Sequence, residues 1–280
     1  MHSSPTKHSP PLMGVDFSSA PSQRKPIVAA LGEFQGTQGQ VLRLDQIKNF
    51  ASLDEFAVFL VEPGAWIGGF DLPFGLPREL VEHLGWPQQW ESLMQHYTQL
   101  PRDEIRRLFA AFCAGRPVGA KFAHRACDGP AGSSPSMKWV NPPVAFMLHA
   151  GVPLLLQAGA TLPGLHQGKE PNKLALEAYP GLLAREILGR RSYKSDDKAK
   201  QTPERLIARK DLIDALEQGR SRLGLRLKLS HAQRELLIDD ARGDRLDAVL
   251  CLMQAAWASR QPNFGLPAAI DPLEGWIVSA

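Results

Sequence analysis

Short apolar segments that end on an acid limit the folds this sequence can adopt. Residues 12–17, 65–70 and 173–178 have the apolar character of buried strands, and the acids at their ends are Asp16, Asp71 and Glu177. A buried carboxylate is costly unless a metal ion or hydrogen-bond donors compensate for its lost hydration. The sequence therefore predicts a polar site beside the core, in which a metal ion or hydrogen-bond donors compensate for the burial of these carboxylates.

The order of the first elements predicts a mixed α/β fold. Residues 26–34 and 40–44 have strand patterns joined by short turns, which predicts a three-stranded antiparallel meander together with the first strand. Ser52, followed three residues later by Glu55, is typical of the capping box that begins a helix. The acid-ended strand at residues 65–70 follows, so the expected order is three strands, a helix and a strand.

Most of the remaining chain is predicted to be helical. The spacing of apolar residues indicates helices within the ranges 77–114, 143–158, 180–188, 202–216, 231–240 and 246–258. The pattern at residues 223–229 fits either a strand or a connector, and residues 275–278 are expected to form a closing strand. We predict one domain over residues 12–280, with a helical and loop insertion at about 77–170, after a disordered extension at 1–11.

Composition narrows the cellular setting. The chain has 280 residues, and its formal net charge of +3 does not by itself imply a nucleic-acid partner. Cys113, Cys127 and Cys251 are far apart, which fits a reducing compartment better than a disulfide framework. No stretch is apolar enough to cross a bilayer, and residues 1–10 lack the apolar run of a signal peptide. We expect a cytoplasmic protein without a membrane partner, and its oligomeric state stays open.

Carboxylates that converge from distant parts of a chain can bind a hard cation. Besides the strand-end acids, Asp244 and Asp247 lie at the start of the last apolar helix. Mg²⁺ and Mn²⁺ prefer oxygen ligands, and two such ions about 4 Å apart can activate water and stabilise a leaving oxygen during phosphodiester cleavage. The acids therefore predict a Mg²⁺ or Mn²⁺ site.

Nearly every one of these acids also has a purely structural alternative. Asp16 precedes two serines and Asp71 precedes a Leu-Pro pair, so both could simply organise turns. Asp244 could be the N-cap of the last helix, and Asp247 lies in its first turn, where an acid suits the helix dipole. Glu177 has apolar neighbours and is harder to explain locally.

Four short motifs carry these acids. They are Gly14-Val15-Asp16-Phe17-Ser18, Gly69-Phe70-Asp71-Leu72-Pro73-Phe74-Gly75, Leu176-Glu177-Ala178-Tyr179-Pro180 and Gly243-Asp244-Arg245-Leu246-Asp247-Ala248. Together with the order of the first elements, they resemble the ribonuclease H-like superfamily and, within it, the bacterial domain-of-unknown-function family numbered 429, which is regarded as a predicted nuclease. The resemblance runs from about Met13 to the C-terminus. It implies a ribonuclease H-like mixed sheet with a large helical insertion.

The resemblance also implies a metal-dependent nuclease with carboxylates as its catalytic residues. By their positions in the motifs, Asp16 would bridge the metal ions, and Asp71 and Glu177 would be further ligands. Asp247 is the predicted ligand from the last motif, although the motif leaves open whether Asp244 takes that place.

Two segments concentrate positive charge and favour nucleic acid as the partner. Within 116–138, the small residues would let backbone donors approach a phosphate, and the predicted substrate contacts are Lys121, His124, Arg125, Ser134 and Lys138. His124 could also act as a general acid or base. The second segment, 190–210, includes Lys194 but is diluted by acids. A surface loop and a solvated helix face are the respective alternatives.

Three functions follow from these observations. The leading hypothesis is metal-dependent hydrolysis of phosphodiester bonds in nucleic acid. The second is an ATP-dependent phosphotransferase of the actin-like or sugar-kinase type, because that superfamily shares the core and Asp16 with Ser18 and Ser19 would suit its first phosphate loop. No Gly-rich adenosine motif occurs late in the chain, which disfavours it. The third is a non-catalytic nucleic-acid-binding module that has kept the fold.

Overall fold

The computed structural model describes residues 10–36 and 39–280. Its strands are β1 (Leu12–Asp16), β2 (Ile27–Gln35), β3 (Val41–Phe50), β4 (Trp66–Asp71), β5 (Ala160–Thr161), β6 (Glu170–Glu177) and β7 (Arg226–Lys228). Its helices are α1 (Leu53–Val61), α2 (Arg78–His83), α3 (Trp90–Gln99), α4 (Arg102–Ala114), α5 (Asp128–Ala131), α6 (Val144–Gln157), α7 (Pro180–Leu188), α8 (Pro203–Glu217), α9 (His231–Asp239) and α10 (Asp244–Ala258). Residues 1–9 of the extension predicted to be disordered lie outside the described residues.

The sheet is mixed, and β1 lies in its centre. Its order is β5-β6-β4-β1-β2-β3-β7. β1, β2 and β3 are antiparallel neighbours, whereas β4 runs parallel to β1 and β6 runs parallel to β4. Ser52 caps α1, because the Glu55 N–H donates to its hydroxyl over 3.1 Å, but the predicted capping box is only half formed, since the Glu55 carboxylate accepts from the Ala51 N–H instead of the Ser52 N–H. The α/β class and the predicted order of the first five elements are therefore confirmed.

Apolar residues cover both faces of the sheet. Met13 and Val15 of β1 belong to a core shared with α1, α3, α4 and α6, while Leu12 and Val28 belong to a second core shared with α7, α8 and α10. A strand that is buried on both faces is apolar throughout instead of alternating, which explains the sequence of the central strands. Across residues 10–36 and 39–280, no helix has the length and apolar character needed to cross a membrane.

Two glycines let α10 lie directly on the central strands. A Cβ atom on Gly14 of β1 would lie 1.9 Å from the backbone nitrogen of Leu252. A Cβ atom on Gly69 of β4 would lie 2.5 Å from the carbonyl oxygen of Cys251. Both clashes are with the backbone of α10, so a side chain at either position would force the helix away from the sheet. This close approach fixes where the first turn of α10 meets the ends of β1 and β4.

The structure refines several predicted boundaries. β3 continues to Phe50 because β2 stays paired with it past a register shift at Leu31/Gly32. The helical range 77–114 is divided into α2, α3 and α4, with a left-handed Gly85 after α2 and Pro101 before α4. Of the ambiguous residues 223–229, three form β7 beside β3.

The closing strand predicted at residues 275–278 is wrong. Gly275 has φ +70° and turns the chain, so the backbone does not run along β6. The Val278 N–H donates to the Glu177 carbonyl at the end of β6, and the segment packs across the sheet edge through buried Ile277 and Val278. The burial of these apolar residues produces the strand-like pattern in the sequence.

Candidate metal centre

Three aspartates meet at one edge of the sheet. Asp16 ends β1 and Asp71 ends β4, and these two residues face each other in the parallel register of the strands. Asp247 comes from the first turn of α10, the helix that lies on both strands. One oxygen from each carboxylate lies within 4.8 Å of the other two. We call Asp16, Asp71 and Asp247 the acidic triad.

The carboxylates of Asp16 and Asp71 accept no hydrogen bond from the part of the chain that the structure describes. Burial, reinforced by the negative charge of Asp247, raises the pKa of Asp71 to about 7 despite the opposing effect of Lys194. The same two causes raise the pKa of Asp16 well above its ordinary value. These two side chains are therefore costly to ionise until a cation arrives.

Asp247 differs from its two neighbours because its carboxylate is already bonded on both oxygens. The Tyr193 hydroxyl donates to Oδ1 and the Lys194 ammonium donates to Oδ2, while the Asp247 side chain is fully buried. Burial alone would lower the pKa of Lys194, but the charge of Asp247, together with Tyr193 and Asp16, raises it well above its ordinary value. Lys194 is therefore a permanent cation at the edge of the triad.

Glu177 lies beside the triad but is not part of it. Its Oε1 and Oε2 accept from the two terminal nitrogens of Arg125 at 2.7 and 2.8 Å, and Oε2 also accepts from the Phe74 N–H at 2.9 Å. Arg125 also donates to Asp128 at 3.0 Å. Bidentate pairing of this kind satisfies both charges. We call Arg125, Asp128 and Glu177 the arginine cluster.

The arginine cluster changes the interpretation of two predicted site residues. Glu177 was predicted to bind metal and Arg125 to bind a substrate phosphate, but their side chains neutralise each other and are only 3% and 2% exposed. No local pattern indicates this pairing, because the two residues are 52 positions apart and Arg125 lies in a loop.

The two acids of the motif at residues 243–248 have different surroundings. Asp247 joins the triad, whereas Asp244 is buried with its Oδ2 accepting no hydrogen bond from the described residues. Arg242 Nε lies 3.7 Å from that oxygen, beyond hydrogen-bonding distance. Burial raises the pKa of Asp244 as well. A buried acceptor without a donor is a sign that a group absent from the polypeptide belongs here.

Two cavities flank the triad. The larger has a volume of about 520 Å³, and its polar lining includes Asp16, Ser18, Ser19, Lys25, Ser195, Asp196, Arg242 and Asp244. The smaller has a volume of about 350 Å³, and Asp71, Glu177 and Tyr179 contribute to its lining. Pro142, Met147 and Lys194 line both cavities, so Lys194 stands where they meet.

The predicted phosphate-binding residues are divided between the cavity lining and the surface. Ser134 and Arg125 line the smaller cavity. Lys121 and His124 are exposed, Lys138 is half-buried, and none of the three lines either cavity. The structure therefore brings only part of the segment 116–138 to the site.

Sequence reasoning did not connect Tyr193 and Lys194 with Asp247. Lys194 was noted only as one of many basic residues in 190–210, and Tyr193 was not singled out. Both residues lie in an irregular segment between α7 and α8, about 50 positions from their partner in sequence. An aromatic residue beside a lysine carries no signal that would identify a distant acid as its partner.

The donor set of the triad fits a hard divalent cation. Mg²⁺ and Mn²⁺ take carboxylate oxygens, and Asp16 and Asp71 offer oxygens that no other described group occupies. Asp244, whose Oδ2 accepts no hydrogen bond from the described residues, lines the same cavity as Asp16 and would offer a further acceptor beside a bound cation. Comparison with protein-family models, with curated proteins and with solved structures finds no match to this chain.

Proposed function

We propose that this chain hydrolyses phosphodiester bonds in nucleic acid with the help of Mg²⁺ or Mn²⁺. The observation that carries the proposal is the position of the acidic triad between two cavities. A phosphodiester has a substituent on each side of its phosphorus. A site with one cavity on each side of its charged centre suits such a substrate better than a terminal phosphate.

The topology supports a ribonuclease H-like assignment for the fold. β1, β2 and β3 form the antiparallel meander, α1 follows, and β4 pairs in parallel with β1. The first acid lies at the end of β1, as the resemblance implies. This arrangement is consistent with a nuclease function. The argument for activity, however, depends on the residues of the site and not on the fold.

The residues of the site have separable tasks in this proposal. Asp16 and Asp71 would hold the metal ion, which when bound supplies activation of water and stabilisation of the leaving oxygen. Arg242 lines the larger cavity and offers positive charge to the neighbouring phosphate groups, whereas Lys25, which also lines it, is paired with Asp196 at 2.9 Å. The hydroxyls of Ser18 and Ser19 in the same cavity can donate to phosphate oxygens.

Incubation with a panel of labelled substrates tests the proposal. Single-stranded, double-stranded and branched forms of DNA and RNA are mixed with the protein and Mg²⁺ or Mn²⁺. We expect cleavage of at least one form, loss of cleavage in Asp16→Asn, and full activity in Asp103→Asn, whose side chain is 90% exposed on α4. Failure to cleave any form with either metal would contradict the proposal.

One observation favours ATP-dependent phosphotransfer as a second candidate. Ser18 and Ser19 follow Asp16 after Phe17, and together with Lys25 they line the larger cavity, which could hold a triphosphate. Calorimetric titration of ATP in the presence of Mg²⁺ separates the two functions. Saturable ATP binding that Asp16→Asn weakens would favour phosphotransfer, and no binding at millimolar ATP would remove this candidate.

A further inference from the structure

We propose that Lys194 is a built-in cation of the metal centre, and that the centre consequently binds one divalent ion instead of two in the absence of substrate. This inference rests on the proposed metal-dependent hydrolysis. It specifies that Lys194 supplies part of the positive charge that balances the acidic triad. It departs from the sequence-based expectation of two ions bridged by Asp16.

The first argument is that Asp247 is already engaged. Its two oxygens accept from the Tyr193 hydroxyl and the Lys194 ammonium, and its side chain has no exposed surface. A second metal ion bound at the Asp247 carboxylate would lie beside the Lys194 ammonium and be repelled by its charge. Asp16 and Asp71 have no such partner among the described residues, so they are the pair that remains open to an ion.

The second argument is that the fold fixes the backbone on both sides of Lys194. Arg209 of α8 donates to the Tyr193 carbonyl at 2.8 Å, and Arg205 donates to the Lys194 carbonyl at 2.6 Å. The Ser195 N–H donates to the Ala241 carbonyl at 3.0 Å, which ties the same segment to the loop before α10. Lys194 is therefore held at the triad by its backbone as well as by its ion pair.

The lack of a side chain at Gly243 is independent evidence that the fold makes room for Lys194 at the triad. A Cβ atom at this residue would lie 2.8 Å from the Lys194 Cβ, and the residue has φ +79°, a conformation that favours glycine. The turn that begins α10 thus leaves space for the lysine side chain. The same turn places Asp247 four residues later, so one loop fits both partners of the ion pair.

The third argument is charge. When ionised, the acidic triad carries three negative charges, and Lys194 offsets one of them. One divalent ion would neutralise the remainder, whereas two would leave a surplus of positive charge in a buried place. Asp244 lines the same cavity as Asp16 with its Oδ2 free of hydrogen bonds from the described residues, and Arg242, 3.7 Å away, offsets its charge, so this balance is unchanged.

Lys194 also has the means to contact the substrate. An ammonium has three donors, and among the described residues Asp247 is the acceptor for one of them. The side chain is 42% exposed and lines both cavities, so its remaining donors face the place where the phosphate would lie. In this role the lysine replaces the charge, but not the water-activating chemistry, of a second metal ion.

Counting bound Mn²⁺ tests the inference without an activity assay. Calorimetry and the electron paramagnetic resonance signal of free Mn²⁺ would be compared for the wild-type protein, Lys194→Met, Lys194→Arg and Lys198→Met, an exposed lysine of the same segment. We expect one ion per chain in the wild type and in Lys198→Met. Lys194→Met is expected to bind a second ion, and Lys194→Arg, which keeps the charge, is expected to bind one.

The possible outcomes separate this inference from the proposed function. Two ions in the wild-type protein, or one ion in both the wild type and a folded Lys194→Met, would overturn the role of Lys194 while leaving metal-dependent hydrolysis intact. Failure of the wild-type protein to bind any Mn²⁺ would overturn the metal centre itself. If Lys194→Met does not fold, the wild-type count still decides the inference.

Discussion

The acidic triad and the arginine cluster lie side by side at one edge of the sheet but compensate their buried carboxylates differently. In the arginine cluster, the guanidinium of Arg125 pairs with both Glu177 and Asp128. In the acidic triad, Lys194 reaches Asp247, while Asp16 and Asp71 have no donor among the described residues. The first group is complete as the chain folds it. In our proposal, a cation from solution completes the second.

This comparison separates structural acids from functional ones at a site where the sequence makes them look alike. Both groups contribute to the lining of the smaller cavity, and each combines an acid at a strand end with an acid from the first turn of a helix. The difference is the presence of a buried arginine in one group. Perturbed, unpaired acids beside a cavity are candidates for function, whereas paired acids are part of the framework.

The largest expected effect is on stability, when the arginine cluster is broken. Arg125→Met should destabilise the protein by about 3–5 kcal/mol, because it leaves Glu177 and Asp128 buried without a counter-charge. Urea unfolding of the metal-free protein measures the change. Arg107→Met, which removes an exposed ion pair with Glu104, is the matched control and should change stability by less than about 0.5 kcal/mol. Equal losses in the two variants would remove the distinction between buried and exposed pairs.

The next effect is on the rate of cleavage, when the acidic triad loses one of its acids. Asp16→Asn should lower the rate of phosphodiester cleavage by at least about 100-fold, because a metal ligand is lost. The same substitution should leave the metal-free protein as stable as the wild type or more stable, because it removes a buried negative charge near Asp247 and Asp71. Thermal unfolding and cleavage assays on one preparation give both values. A loss of stability as large as that of Arg125→Met would show that Asp16 belongs to the framework. Unchanged nucleic-acid binding by a more stable Asp16→Asn protein that never cleaves would instead favour the non-catalytic module.

A smaller effect is expected from the contact that brings Asp247 to the strands. Gly14→Ala should cost about 1–3 kcal/mol, because its Cβ would overlap the backbone of α10 at Leu252. Since Gly14 lies on the strand that ends on Asp16, and α10 brings the charge of Asp247 beside Asp16 and Asp71, the substitution should also weaken Mn²⁺ binding. Gly129→Ala, where a Cβ would meet no atom within 4 Å, is the control and should change neither property. If Gly14→Ala leaves metal affinity unchanged, the placement of α10 does not determine the geometry of the site.

The last expected effect is a dependence of stability and metal affinity on pH. The folded protein raises the pKa of Asp71 to about 7 from the ordinary value of 3.8. Between these values the folded state holds a proton that the unfolded state has lost, so the stability of the metal-free protein should fall as pH rises from about 4 to 7. Mn²⁺ competes with that proton, so metal affinity should instead rise through pH 7.

Asp71→Asn provides the check on this pH dependence. The variant should flatten the decline in melting temperature that the metal-free wild type shows between pH 4 and 7. The pH range is set by the two pKa values of Asp71. An identical decline in the variant and the wild type would assign the titration to other groups.

The sequence predicts the framework of this protein better than its site. Apolar strands that end on Asp16 and Asp71, and the capping box at Ser52, are local patterns, and the structure contains the strands and the helix they indicate. Residues 275–278 show how such a pattern misleads, because burial against a sheet edge produces the same apolar spacing as a strand.

The site is harder to predict because long-range pairings decide which acids are free. Glu177 has the same strand-end position as Asp71, and only the fold shows that Arg125 neutralises it. Lys194 is likewise one basic residue among many until α8 and α10 position it against Asp247. Strand ends can be predicted from local sequence, whereas the partner of each charge depends on the complete tertiary structure.

Anomalous diffraction from crystals grown with Mn²⁺ tests the central claim most directly. The account predicts one strong peak about 2.1 Å from oxygens of Asp16 and Asp71, with Lys194 still bound to Asp247 and Arg125 still bound to Glu177. The absence of a peak at the acidic triad at saturating Mn²⁺ would contradict the account. A peak coordinated by Glu177, with Arg125 displaced, would contradict it as well.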